Sequence, residues 1–372
     1  MVKAVFRVDS STIFATGHVM RCLNIADQLK KLKNIDSYFV CREHHGHISE
    51  IIKNKGYGLL LLPLREPDFD RCASFKKIDK FDQNLGSSIR ADALDFNEYC
   101  KKIKADIAII DHYFIDYSWQ NLIKNNVKKI VVIDDLANRN HLSDILIDTN
   151  IKRTETDYKA LVPEKSKIFC GTEYFFLRPE FYTIQKLDIM NCNVAKQLKK
   201  ILISFGGVDR DNFTLKTINA LSKLHFSNNL SITVIVGKSY MWLKELKKYQ
   251  NDTNMNFSLI VQSDKMALLM HDNDLMIGAG GTTNCEAMSL GLPSLLVCTA
   301  DNQKRTVGIM NDCKYAIKVE NNESFACEIK DKLEVLWKKP QILNEMRKNC
   351  NDVLVGSQKH INELLDQITK NI

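Results

Sequence analysis

Short apolar runs rich in valine and isoleucine recur along the chain, each followed by a segment whose apolar residues keep helical spacing. This alternation constrains the fold more than any other feature, because it is the pattern of parallel strands joined by crossover helices. A first series of strands is predicted at 4–8, 37–41, 58–62, 106–111 and 129–134, and a second at 200–205, 231–236, 256–261, 275–277 and 294–298. The clearest helix is 19–32, where Val19, Cys22, Leu23, Ala26 and Leu29 share one face. An α/β protein of two Rossmann-like halves follows. With 372 residues there is room for two domains, expected at 1–185 and 195–352, the crossing falling in 149–194, where strand and turn cues are scattered. In the final segment, 353–372, Ile361, Leu364, Leu365 and Ile368 fit an amphipathic helix that can pack back on the first domain. The polar stretch 65–91 reads as a long surface loop.

No apolar run approaches the roughly 18 residues of a membrane-spanning helix. A strand begins at Lys3, with no space for a leader before it, so the expected compartment is the cytoplasm. The formal charge of +7 is spread over helix faces and accompanies no nucleic-acid-binding motif. It suits an anionic small ligand. The eleven cysteines never stand at C-x-x-C spacing and are expected as reduced, largely buried thiols. The cluster His44-His45-Gly46-His47 beside Cys41 fits no zinc pattern, and neither metal nor cofactor is expected. The sequence does not specify an oligomeric state.

In an open α/β sheet, ligands bind outside the carboxyl ends of the strands, where the following helices begin. His18 opens a helix after the first strand and Gly17. A histidine there can act as a general base, since imidazole titrates near physiological pH, or can simply cap the helix backbone. Asp9, at the end of the first strand, can orient that imidazole or bond its own loop. Arg21 lies one turn beyond His18 and is either solvated or turned to a phosphate. In the second half, Gly206-Gly207 and Gly278-Ala279-Gly280-Gly281-Thr282 follow two strands, and glycines ahead of a helix form either a diphosphate cradle or plain turns. Glu286 can accept ribose hydroxyls, or can close a capping box with Thr283. Asn302 and Gln303 offer amides to a sugar, or cap the helix from Lys304. For His112, packing and loop hydrogen bonds are expected.

These segments together suggest a family. Phe6-Arg7-x-Asp9-Ser10-Ser11, Thr16-Gly17-His18-Val19-Met20-Arg21-Cys22-Leu23, Ile110-Asp111-His112-Tyr113 and Ile133-Asp134-Asp135-Leu136-Ala137 occur in the order seen in one group of enzymes. So do Leu177-Arg178-Pro179-Glu180-Phe181, Ser204-Phe205-Gly206-Gly207, the glycine-rich 278–283 segment, Glu286, 290–293 and Asn302-Gln303. From about residue 3 to residue 315 the chain resembles the UDP-2,4-diacetamido-2,4,6-trideoxy-beta-L-altropyranose hydrolases of pseudaminic acid biosynthesis, whose product feeds surface glycan or flagellin glycosylation. The resemblance implies a GT-B fold, two Rossmann-like domains facing a cleft, and metal-independent hydrolysis of a UDP-sugar with inversion at the anomeric carbon. Carried over to this chain, His18 is the base that activates water, Tyr113 and Asn302 surround the sugar, and Glu286 holds the ribose. The glycine-rich second half is shared with GT-B glycosyltransferases, so an inverting UDP-sugar transferase is the competing expectation. Two departures stand out: Ala15 where the family usually has glycine, and Cys285 where an aromatic residue is common.

Overall fold

The computed structural model describes residues 2–11, 16–66, 80–188, 197–253, 255 and 257–372. Ala15 and much of the 65–91 segment lie outside them. The chain divides into two compact units, Met1–Phe176 with Gly356–Ile372, and Leu177–Val355.

The first unit runs β1 (Lys3–Val8), α1 (Gly17–Lys33), β2 (Asp36–Arg42), α2 (Ser49–Asn54), β3 (Gly58–Leu62), then a short hairpin β4 (Phe81–Asp82) and β5 (Ser87–Ser88). It continues through α3 (Ile89–Ile103), β6 (Ile107–Asp111), α4 (Tyr117–Ile123), β7 (Lys129–Ile133), β8 (Ile145–Asp148) and β9 (Lys167–Cys170). Seven parallel strands form one sheet in the order β3-β2-β1-β6-β7-β8-β9. The order reverses at β1 and β6, so their carboxyl ends form the switch point of the sheet. Val8 lies opposite Asp111 in that pairing.

Both faces of this sheet are covered, which explains the near-continuous apolar runs. One face packs on α1 through Val19, Cys22, Leu23, Ala26 and Leu29, and the other on α3 and α4 through Phe96 and Trp119. Ser88 starts α3 by accepting a hydrogen bond from the Ala91 N–H at 3.2 Å. The segment read as a bare loop therefore ends in a hairpin and a capped helix.

The second unit runs α5 (Pro179–Asp188), β10 (Lys200–Ser204), α6 (Phe213–Leu221), β11 (Ser231–Val236), α7 (Leu243–Asp252), β12 (Phe257–Val261) and α8 (Met266–His271). Then come β13 (Leu275–Ala279), α9 (Thr283–Ser289), β14 (Ser294–Val297), α10 (Lys304–Asp312), β15 (Ala316–Val319), α11 (Phe325–Lys338) and α12 (Gln341–Asn351). Its six parallel strands are ordered β12-β11-β10-β13-β14-β15, with the switch point at β10 and β13. Gly278 sits directly against the Ser204 carbonyl, a spacing that leaves no volume for a Cβ. Helix α5, which begins inside the 1–185 span expected above for the first domain, packs on α8 and α9.

The last helix, α13 (Gln358–Thr369), groups with the first unit, burying Ile361, Leu364, Leu365 and Ile368 in the core that holds α1. Lys129 on β7 donates to the carbonyls of Gln367, Ile368 and Lys370 at its end. Among the described residues no helix is long and apolar enough to cross a membrane.

Candidate active site

The switch point of the first sheet gathers residues from three strand ends. His18 is the second residue of α1, and its Nδ1 lies 2.6 Å from Oδ1 of Asp111, the last residue of β6. It bonds a carboxylate and not the helix backbone. An ionised carboxylate only accepts, so Nδ1 is the nitrogen assigned the hydrogen, which leaves Nε2 as the nitrogen able to take a proton whenever the ring is uncharged. Arg21 grips the same carboxylate in a fork, Nε to Oδ2 at 2.8 Å and Nη2 to Oδ1 at 2.7 Å. Burial alone would raise the Asp111 carboxyl; Arg21 and His18 outweigh it and hold it well below the usual range. Arg21 is therefore neither solvated nor left to a phosphate alone. It completes an arginine–aspartate–histidine array.

The Tyr113 ring stands perpendicular to the His18 imidazole, centroids 4.5 Å apart, and its hydroxyl donates to Asp135 Oδ2 at 3.2 Å. The same oxygen faces Arg21 Nη1 at 3.4 Å. A pocket opens here, lined by Asp9, His18, Asp111, His112, Tyr113 and Phe114.

Asp9 lines this pocket without orienting His18, which corrects one of the two expectations for it. Its Oδ1 accepts from Arg7 at 2.6 Å and from the Arg42 N–H at 2.7 Å, while Oδ2 faces His112 Nε2 at 3.0 Å. The reason lies in the strand register: Arg7 and Arg42 are fully buried on neighbouring strands, and two interior guanidiniums need acceptors. Asp92 of α3 supplies the rest, accepting from both arginines and from Trp119 Nε1. His112 behaves as expected of a packed loop residue, with Nδ1 accepting from the Phe114 N–H at 3.1 Å.

Four carboxylates of this unit share one electrostatic pattern. Burial would raise Asp9, Asp92, Asp111 and Asp134, yet arginine partners and hydrogen bonds hold all four below the ordinary value. A carboxyl depressed in the folded state stabilises fully above its unfolded pKa, about 3.9, and loses that contribution as pH falls below it. The melting temperature should drop steeply below about pH 4. Thermal melts between pH 7 and 3 check this, and an unchanged melting temperature at pH 3 would contradict it.

In the second unit, β10 and β13 are paired with Ser204 opposite Gly278, so Gly206-Gly207 and Gly280-Gly281-Thr282 emerge side by side. Gly206 has φ +85°, a left-handed conformation that glycine adopts without strain. Gly281 and Thr282 are exposed, and Gln303 packs close against Gly280. Gln303 makes no side-chain cap for α10; its Oε1 accepts from the Thr299 N–H at 2.9 Å. Nor does α9 have a side-chain cap, so the capping-box reading of Glu286 does not hold. Both Glu286 oxygens instead accept from Arg178, at 2.8 and 3.0 Å. Burial pushes this carboxyl up in spite of Arg178.

Asp111, Asp135, Arg178 and Asp92 are the site or supporting residues to which sequence reasoning gave no role. For Asp111 the usable signal was its position at a strand's carboxyl end.

Residues 201–366 match the glycosyltransferase family 28 C-terminal domain. An uncharacterized protein of Methanocaldococcus jannaschii is 28% identical over 310 residues, 82% of this chain but only 57% of that protein. A UDP-2,4-diacetamido-2,4,6-trideoxy-beta-L-altropyranose hydrolase of Campylobacter jejuni is 28% identical over 307 residues, 82% of this chain and 94% of the relative. Among solved structures, a MurG of Acinetobacter baumannii superposes with a TM-score of 0.65 at 15% identity, covering 99% of each chain. The fold is GT-B.

Proposed function

We propose that this chain is a nucleotide-sugar enzyme that releases UDP from UDP-2,4-diacetamido-2,4,6-trideoxy-beta-L-altropyranose, or a closely related acetamido sugar, by hydrolysis. The observation that carries the reading is the His18–Asp111 hydrogen bond with Arg21 on the same carboxylate. It fixes Nδ1 as the donor and leaves Nε2 as the acceptor, the arrangement a general base requires. The Campylobacter relative supplies the reaction class.

In this mechanism water attacks the anomeric carbon and gives its proton to His18 Nε2. The bond from that carbon to the diphosphate oxygen breaks with inversion, and UDP departs with the electron pair. Arg21 and Asp111 keep the imidazole oriented while it becomes charged. Tyr113 borders the reacting sugar, and the amides of Asn302 and Gln303 meet its hydroxyl or acetamido groups. The glycine loops after β10 and β13 offer backbone N–H groups to the diphosphate, a role that needs no metal ion. Glu286 takes the ribose hydroxyls: Arg178 uses one acceptor direction of each oxygen, and a carboxylate has about four.

Glu286→Ala should weaken UDP binding by about 1 to 3 kcal/mol, as expected when a charged acceptor is removed. Titration calorimetry with UDP measures this, and unchanged affinity would take Glu286 out of the nucleotide site.

One observation favours a second reading. The match to a glycosyltransferase domain fits an inverting transferase that passes the sugar to an acceptor hydroxyl. Incubation with UDP-linked diacetamido sugars and no acceptor separates the two. The hydrolase reading expects UDP release at many turnovers, and release only on adding an acceptor would favour the transferase.

A further inference from the structure

The turn that carries Asp135 and the loop that carries Tyr113 are joined through one buried carboxylate, Asp134, which is part of neither the Arg21–Asp111–His18 array nor the Asp92 cluster. Asp134 follows β7 with its side chain fully buried. Its Oδ2 accepts from the N–H groups of Leu136 at 3.2 Å and Ala137 at 2.8 Å. That turn is costly for its sequence, since Ala137 has φ +50°, and the two hydrogen bonds fix it. They fix Asp135 within it, whose side chain receives the Tyr113 hydroxyl. The Asp135 carbonyl is tied in turn by Arg153 Nη2 at 2.9 Å and Asn150 Nδ2 at 3.3 Å.

The other oxygen, Asp134 Oδ1, pairs with Arg139 Nη1 at 2.7 Å. The remaining Arg139 nitrogens reach across to the loop after β6: Nη2 donates to the His112 carbonyl at 3.2 Å and Nε to the Ile115 carbonyl at 3.1 Å. These carbonyls bracket Tyr113. A planar guanidinium can pair with Asp134 through Nη1 while its other nitrogens donate to the two carbonyls at fixed angles, which a lysine ammonium on a flexible stem does not reproduce. The backbone on either side of Tyr113 and the acceptor for its hydroxyl are thus referred to the same carboxylate.

We infer that Arg139 is a positioning residue for Tyr113, acting beside Asp134 to hold the Tyr113 hydroxyl on Asp135 at the edge of the His18 site. The inference rests on the proposed hydrolase reading for its functional consequence, but the clamp itself is testable without turnover. In Arg139→Lys the charge beside Asp134 is kept and the fork is lost. The amides of Phe114 and Ile115, both hydrogen-bonded within this turn, should exchange with deuterium at least about 10-fold faster, while β1 and β6 stay protected. Unchanged exchange at 114 and 115 would overturn the clamp.

The positioning role is read from a double-mutant cycle with Tyr113→Phe. Arg139→Lys alone should lower kcat about 10- to 100-fold, as a displaced site group does, with KM and the UDP dissociation constant within about twofold of wild type. In the Tyr113→Phe background the same substitution should lower kcat by less than about twofold, because its effect passes through a hydroxyl already removed. Additive losses would show that Arg139 acts by some route other than Tyr113. Normal turnover of Tyr113→Phe on its own would instead refute the role given to Tyr113, and the exchange result would stand separately.

Discussion

His18→Asn is expected to lower turnover by about 100- to 10,000-fold, the range that general-base catalysis supplies, while UDP binding and the melting temperature stay near wild type. The asparagine side chain retains a polar group near Asp111 but has no nitrogen lone pair to accept a proton from water. His18 also belongs to a different unit from the glycine loops and Glu286, so nucleotide affinity should not follow the loss of rate. Steady-state rates of UDP release, with calorimetry of UDP on the same preparation, measure the two separately. Near-normal turnover would remove His18 from the mechanism. Equal losses in both would mean that the substitution had disturbed the fold and not the proton transfer.

Asp92→Ala should be the most destabilising single change near the site. Its carboxylate accepts from Arg7 Nε at 3.0 Å and Nη2 at 2.8 Å, from Arg42 Nη2 at 2.7 Å, and from Trp119 Nε1 at 2.9 Å. Without it, two fully buried guanidiniums lose the carboxylate they share, and Arg7 is left with Asp9. Removing one partner of a buried ion pair costs about 3 to 5 kcal/mol, against a total stability of about 5 to 15 kcal/mol. For a unit of this size the melting temperature should fall by about 10 °C or more. A melt followed by circular dichroism, with tryptophan fluorescence reporting on Trp119, measures it. A shift of less than about 2 °C would show that the arginines find other partners.

The two sheets were legible because parallel strands buried on both faces write themselves as unbroken Val/Ile runs, as in Lys129–Ile133 and Ser231–Val236. The strands that escaped are four residues long or shorter: Ile145–Asp148, Lys167–Cys170 and Ala316–Val319 lie toward the sheet edges, where a short run is not distinguished from a loop. The placement of His18, Tyr113 and the glycine loops was legible because each follows a strand's carboxyl end. Their partners were not. That Asp111, and not Asp9, meets His18 depends on which strand lies beside β1, and a separation of 93 residues leaves no local trace of it. The Arg178–Glu286 pair spans 108 residues and hides for the same reason. Asp92 was obscured differently: it sits on a helix in a polar stretch, and only tertiary packing turns an apparently solvated acid into the counter-charge of two buried arginines.

The central claim, that water attacks the anomeric carbon and the carbon–oxygen bond to UDP breaks, is tested most directly by turnover in 18O-enriched water without any acceptor, with phosphorus NMR of the UDP formed. The account predicts UDP whose phosphates carry only ordinary oxygen, because the bridging oxygen leaves with the nucleotide and the water oxygen goes to the sugar. Label in the β-phosphate would mean that water attacks phosphorus, and the role proposed for His18 would be contradicted.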